Sequence, residues 1–385
     1  MVSIAVIIVV ALTVFWLVLY SLFGKKEIDP ETGEPVEKEE GLSVDFLIAM
    51  WRTKRLLGFI DRLARRAPRF WLVYGNLGVL IGFAGMVYIF YVLLRLALKN
   101  LQGAKSSAVT LVIPGVTIPL WYGLIGLAVV MVVHELSHGV VARAEGIPLK
   151  SVGVLLLVVI PGAFVEPDEE ALKRAPLIKR LRVYGAGSLA NIITAFLALL
   201  ITVALINPIL QPDGVLISGV LSNGPSHGIL QKGDVIVSMK GEKITTLDDF
   251  LKFMNSTKPG QVVEISVLRG GHLLKVSVVL GKNPRNPSMG FLGVYPAQNI
   301  KSKVGYDWLV IPLAFSLYWI YILNIGIGLM NLFPLVPLDG GRMLDETLKE
   351  FLPEEVAKPL RFSIIGLGVF LLAVNLIPAL ANLLG

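Results

Sequence analysis

Runs of twenty or more apolar residues recur along this chain, and they constrain its fold more than any other feature. They cover Val2 to Phe23 and about 71 to 97, 121 to 142, 182 to 206, 308 to 333 and 362 to 383. A hydrocarbon core about 30 Å thick takes roughly 20 helical residues to cross. Lipid offers the backbone no hydrogen-bond partners, so runs of this length form helices that satisfy themselves. The composition agrees: 55% of the 385 residues are hydrophobic and only 16% charged, with a mean hydropathy of +0.73. That leaves too little polar side chain for a water-soluble globule and excludes disorder. The expectation is a polytopic α-helical membrane protein with about six transmembrane helices. The first run lacks a basic leader and a small-residue cleavage site before Lys25 and Lys26, so it reads as a retained anchor over 1–24, not a signal peptide. Ser151 to Val165 is apolar but too short to cross and is closed by Pro161 and Gly162, which suits a re-entrant or strand-like segment.

The formal charge of +7 reflects topology, not nucleic-acid binding, because the basic residues flank the spans instead of forming one stripe. Arg52, Lys54, Arg55, Arg62, Arg65, Arg66 and Arg69 lie in one loop, and Arg143, Lys150, Lys173, Arg174, Lys179, Arg180 and Arg182 in another. A third loop carries Arg342, Lys349, Lys358 and Arg361. Alternation from an outer N-terminus puts all three in the cytoplasm and the C-terminus outside. The acidic stretch from Glu27 to Glu40, with Pro30, Gly33 and Pro35, reads as a solvated linker, so that 25–70 is acidic and then basic.

Residues 207–300 differ from their surroundings. Short β-patterned runs, Val215 to Val220, Val235 to Met239, Val262 to Leu268 and Leu274 to Leu280, alternate with Gly, Asn and Asp punctuation around one helix-like piece, Leu247 to Met254. This reads as an inserted α+β domain on the outer face. The stretch from Gly224 to Gly241 resembles the PDZ domains of membrane and envelope proteases, and Gly290 to Val294 is similar to their peptide-end loop. Such domains take an extended peptide at a sheet edge. His227 and His272 read as loop and hairpin residues.

With no cysteine and only four histidines, a metal site here must use His, Asp or Glu. His134, Glu135 and His138 form an HExxH pattern inside an otherwise apolar helix, with the two imidazoles one turn apart on one face and Glu135 beside them. Ionisable residues at that depth mark function. A catalytic zinc requires a third protein ligand and an open position. Val141 and Ala144 stand where a second histidine motif would place its ligand, leaving Glu166, Asp168 and Asp339. Asp339 ends the stretch from Asn331 to Gly340, where Pro334 and Pro337 break the helix; irregular backbone at membrane depth belongs beside a protein-lined or wet cavity.

The paired motifs resemble those of the site-2 protease family of intramembrane zinc metalloproteases, in its PDZ-bearing group, over about 121 to 342. The resemblance implies that His134, His138 and Asp339 hold Zn2+ and that Glu135 is the general base. It also implies that the stretch from Gly187 to Asn191 is the family's GxxxN element, with Asn191 donating toward a substrate carbonyl or oxyanion. Asn331, Gly162, Phe164 and Gly187 become substrate-binding residues. The protease core is then split between 71–206 and 301–345, with an amphipathic segment and a last helix in 346–385. The implied substrates are transmembrane proteins within the lipid bilayer, with an extended peptide at the PDZ-like domain as a further partner. A metal-ion transporter would also bury such residues, but it should show internal repeats, and the sequence has none.

Overall fold

The computed structural model of the protein describes residues 4–384 except 25–26, 29–34, 37–39, 46, 104–108 and 159. Most of the acidic stretch from Glu27 to Glu40 therefore lies outside the described residues. In chain order the main elements begin with α1 (Ile4–Phe23), β1 (Gly41–Asp45), β2 (Ile48–Thr53), α2 (Leu57–Arg66), α3 (Pro68–Leu101) and α4 (Leu120–Ala144). Next come β3 (Leu149–Leu157), β4 (Ile160–Pro167), α5 (Glu169–Arg174) and α6 (Leu177–Ile201). The insert follows with β5 (Leu210–Val220), β6 (Val235–Met239), α7 (Leu247–Asn255), β7 (Val262–Arg269), β8 (His272–Val279) and β9 (Val294–Ser302). The chain closes with α8 (Asp307–Asn331), α9 (Asp339–Phe351) and α10 (Glu354–Leu384). Two compact units result, Met1–Leu199 with Ser316–Gly385, and Leu200–Phe315.

Among the described residues, five helical stretches are long and apolar enough to cross a membrane: Pro68–Leu101, Leu120–Ala144, Leu177–Ile209, Asp307–Asn331 and Glu354–Ala381. The sixth run of the sequence is α1, whose described apolar part is the shorter Val10–Phe23. Large apolar side chains face outward along these helices, as at Leu80, Val87, Phe196 and Phe362, the surface that a bilayer covers. Small residues let the helices approach each other. A Cβ on Gly78 of α3 would lie 3.1 Å from the Gly185 backbone of α6, so the two backbones meet as small residues allow in lipid. Near the site, the Ser137 hydroxyl on α4 donates to Ala186 O at 2.9 Å and meets the Tyr74 hydroxyl of α3 at 2.9 Å. This polar knot fastens α4 to both neighbours.

The main departure from expectation is the supposed linker over 25–70. It contains β1, β2 and α2. Strands β1 to β4 form one antiparallel sheet in the order β1-β2-β3-β4, so the strand-like segment from Ser151 to Val165 is a hairpin widened by a second hairpin from far upstream. The reading missed it because β1 and β2 are 5 and 6 residues long and their hairpin joins the sheet through the pairing of β2 with β3, about a hundred positions away. Helix α2 packs against α4 and β3 through Ile60 and Ala64. Arg143 of α4 grips Asp61 with two guanidinium nitrogens, and that hydrogen bonding holds the Asp61 carboxyl below its ordinary range. Helix α4 ends where Gly146 turns with φ +83°. Gly146 N donates to Arg143 O at 3.1 Å and Ile147 N to Ala142 O at 2.8 Å, a Schellman closure that sends the chain straight into β3.

The unit Leu200–Phe315 has its own sheet, β8-β7-β6-β5-β9, with antiparallel neighbours. Its core gathers Val215, Ile217, Ile236, Met239, Ile265 and Val278 around Phe250, Phe253 and Met254 of α7. Helix α7 starts on a capping box: Thr246 accepts from Asp249 N at 3.0 Å while Asp249 accepts from Thr246 N at 2.8 Å, and these backbone hydrogen bonds hold the half-buried Asp249 carboxyl below its ordinary range. The compact unit, Leu200–Phe315, overruns the expected 207–300 at both ends, and on the C-terminal side β9 continues to Ser302.

Candidate metal and catalytic centre

Helical spacing on α4 sets His134 and His138 edge to face, with ring centroids 4.6 Å apart and Nε2 atoms 3.1 Å apart. The first turn of α9 brings Asp339 to them: its Oδ2 lies 3.2 Å from His134 Nε2 and 3.3 Å from His138 Nε2. The two prolines upstream make this approach feasible, because they end α8 at Asn331 and let the chain restart as α9 beside α4. These three donors alone, among the described residues, form a cluster suited to a metal ion. The other two carboxylates are employed elsewhere. Asp168 caps α5 by accepting from Ala171 N at 2.8 Å, and Glu166 accepts from Ser151 Oγ at 2.6 Å and faces Arg52 at 3.7 Å.

The donor set fits a zinc ion. Tetrahedral bonds of about 2.0–2.1 Å place ligand atoms about 3.3–3.4 Å apart, close to the 3.1, 3.2 and 3.3 Å edges of this triangle. Asp339 Oδ2 is buried and accepts no hydrogen bond. A carboxylate oxygen held in that state, facing two ring nitrogens, is the donor a cation satisfies. Val183 O lies 2.6 Å from His138 Nδ1; a carbonyl only accepts, so the ring proton sits on Nδ1 and Nε2 keeps its lone pair for the triangle.

Glu135 lies beside the histidines, and its Oε2 accepts from Val165 N at 3.1 Å, so the carboxylate is tied to the backbone of edge strand β4. Both open into a cavity of about 730 Å³ lined by His134, Glu135, His138, Phe164, Asn331 and Asp339. A second cavity of about 700 Å³, bounded mainly by apolar side chains of α2, α4 and β2–β4, shares Arg52, Glu135, Phe164 and Val165 with the first.

The remaining expected site residues divide. Asn331 and Phe164 reach the cavity wall. Gly162 pairs with Leu155 in the hairpin, and a Cβ there would lie 2.7 Å from Leu155 Cδ1. Gly187 faces the imidazoles: a Cβ would lie 2.7 Å from His134 Cε1 and 2.8 Å from His134 Nδ1. Asn191, expected to face a substrate carbonyl, is fully buried behind His134 with its Nδ2 3.1 Å from His134 Nδ1. Sequence reasoning missed Arg52, whose buried guanidinium lies 5.9 Å from the Phe164 ring centre, and the knot of Tyr74 and Ser137. Arg52 was one basic residue among many in a supposed linker, and a lone Tyr or Ser in an apolar run carries no pattern.

The model of peptidase family M50 matches residues 122–374, a stretch that includes every residue of the metal triangle. An uncharacterized protein of Methanocaldococcus jannaschii is 31% identical over 360 residues, covering 90% of this chain and 87% of its own. A membrane-bound transcription factor site-2 protease homolog from Arabidopsis thaliana is 29% identical over 202 residues, covering 50% of this chain and 39% of its own. Among solved structures, a PDZ domain of an SdrC-like protein from Listeria innocua is 25% identical over 23% of this chain and 97% of its own, with a TM-score of 0.21.

Proposed function

We propose how this chain, which belongs to peptidase family M50 and so to the site-2 protease group of intramembrane zinc metalloproteases, carries out its hydrolysis. His134, His138 and Asp339 hold the metal, and Glu135 is the general base. The observation that carries this reading is the convergence of three donors from two distant stretches of chain on one point beside Glu135. A zinc ion there supplies the Lewis acidity that polarises a peptide carbonyl and makes water reactive near neutral pH.

Glu135 takes a proton from the attacking water and returns it to the departing amine, so the carboxylate ends as it began. The Val165 N–H fixes the orientation of that carboxylate. Asn331 lines the cavity, which supports a role for its amide as a donor to the substrate carbonyl. Substrates are transmembrane proteins. A helix hides its carbonyls in its own hydrogen bonds, so the segment to be cut must unwind, and the free edge of β4 around Gly162 and Phe164 offers a partner for the released backbone. The charge of the three basic loops supports a cytoplasmic side for HExxH and an outer side for residues 207–300, whose PDZ-like sheet edge would filter substrates or bind an extended peptide.

The direct test is Glu135→Gln in purified enzyme acting on a single-span reporter. Zinc content stays at wild-type stoichiometry while cleavage falls by about 10²–10⁴-fold. Undiminished cleavage would remove Glu135 from its role.

A further inference from the structure

Among the described residues, the Asn191 side chain makes no hydrogen bond beyond its contact with His134 Nδ1 at 3.1 Å, and its Oδ1 is buried without a partner. An orphaned amide oxygen beside a metal-ligating ring calls for a cause. With Nδ2 facing Nδ1, the ring can accept only if its own proton sits on Nε2, the nitrogen that faces Asp339 and His138. A ring whose Nε2 binds a cation has the opposite need: Nε2 is bare, Nδ1 carries the proton, and the neighbour must accept it. The two ends of a primary amide differ little in shape, so half a turn about the Cβ–Cγ axis swaps Nδ2 for Oδ1 without new space. The turn exchanges the Nδ2 contact for an Oδ1 contact with the same ring nitrogen, and Oδ1 has no partner among the described residues to lose.

We propose that Asn191 is a positioning residue whose amide oxygen accepts the His134 Nδ1 proton in the metal-loaded enzyme and so aims His134 Nε2 at the ion. This inference rests on the reading of His134, His138 and Asp339 as the metal centre. Each ligating imidazole then has its own acceptor on α6, Val183 O for His138 and Asn191 for His134. The surroundings hold Asn191 to this task. A Cβ on Gly328 of α8 would lie 2.9 Å from Asn191 Cβ, so the bare glycine lets α8 close over the amide. The absent Cβ of Gly187, one turn earlier on α6, leaves room for the ring itself. The amide therefore serves the ligand's back side instead of the substrate.

The test is zinc retention against a graded chelator, read beside cleavage in the detergent-purified full chain. N191A should weaken zinc binding by about 10–100-fold, the usual cost of losing a ligand's outer partner. N191D, which accepts a proton but cannot donate one, should hold zinc about as tightly as the wild type. S188A, a change at a buried hydroxyl one turn earlier on the same helix, should leave zinc binding unchanged. Wild-type zinc retention in N191A with slowed cleavage would overturn the proposal in favour of a donor to substrate. Zinc loss in N191D equal to that in N191A, or comparable loss in S188A, would overturn it in favour of a packing role. D339N and H138A in the same titration separate the premise from the proposal. If they retain zinc, the metal centre itself is misassigned; if they lose it while N191A does not, only the role of Asn191 fails.

Discussion

The two units of this chain treat their buried polar atoms in opposite ways. Among the described residues, the buried side-chain nitrogens and oxygens lacking a hydrogen-bond partner belong to the membrane unit: Arg180 Nε, Ser188 Oγ, Asn191 Oδ1, Asn324 Oδ1 and Asp339 Oδ2, with Asp345 Oδ1 met only by the Arg361 guanidinium in an ion pair at 3.0 Å. The unit Leu200–Phe315 buries polar groups too and satisfies them. Ser226 Oγ donates to Leu292 O, Thr257 Oγ1 donates to Met254 O at 2.7 Å, and Asp234 accepts from Arg269 Nη2 at 2.7 Å and from Gln231 N at 2.9 Å. A buried polar atom left alone costs about 1–3 kcal/mol, and a structure carries that cost where something else completes it. The insert is chemically finished as it stands. In the membrane unit two of the unpartnered atoms, Asn191 Oδ1 and Asp339 Oδ2, sit at the cluster of His134, His138 and Asp339.

Substitutions in each unit should therefore be felt in different measurements. The largest effect is expected for His138→Ala, which should reduce cleavage to the level of metal-free enzyme while hydrogen exchange across 210–302 stays as in the wild type. Altered exchange in the insert would break the separation drawn here. Next is Ile265→Ala in the fully buried core of the insert, which should cost about 2–5 kcal/mol of local stability and leave zinc content unchanged. Arg269→Ala should cost about 2 kcal/mol, since it strands the buried Asp234 carboxylate. The same pair gives a pH signature. Burial works to raise the Asp234 carboxyl, but the Arg269 guanidinium and the Gln231 N–H outweigh it and hold that carboxyl below its ordinary range. A carboxyl lowered on folding stabilises above the unfolded value of about 3.9 and loses that contribution as pH falls through the folded value. Acid unfolding of the insert should therefore be less steep in Arg269→Ala than in the wild type. The smallest effect is Thr246→Ala, about 1 kcal/mol from the lost cap of α7.

How much of this was legible in the sequence depends on the range of the interaction. The HExxH pair was readable because both ligands lie on one helix, where i and i+4 fix their relation without any tertiary knowledge. Asp339 was reachable through the broken helix before it and was singled out among three carboxylates by the family resemblance; the engagement of Asp168 and Glu166 elsewhere agrees with that choice. The strands of the insert announced themselves by alternation and turn residues. β1 and β2 did not, since their pattern is short and their partner is remote. Asn191 was found as a residue and missed as a contact, because a side chain's rotation about its helix is set by the neighbouring helices α4 and α8.

The pairing of β2 with β3 has a consequence for how the molecule is made. Residues 48–53 meet residues 152–157, and between them the chain must thread α3 and α4 through the bilayer. During synthesis the first hairpin emerges early with one ribbon edge bare, and it waits until two whole spans have been inserted before its mate arrives. Closure over such a separation is slow and comes late. The strand that steadies Glu135 is the far side of that sheet, so the upstream hairpin and the carboxylate are joined through β3, and all four strands leave the ribosome well before the stretch that carries Asp339.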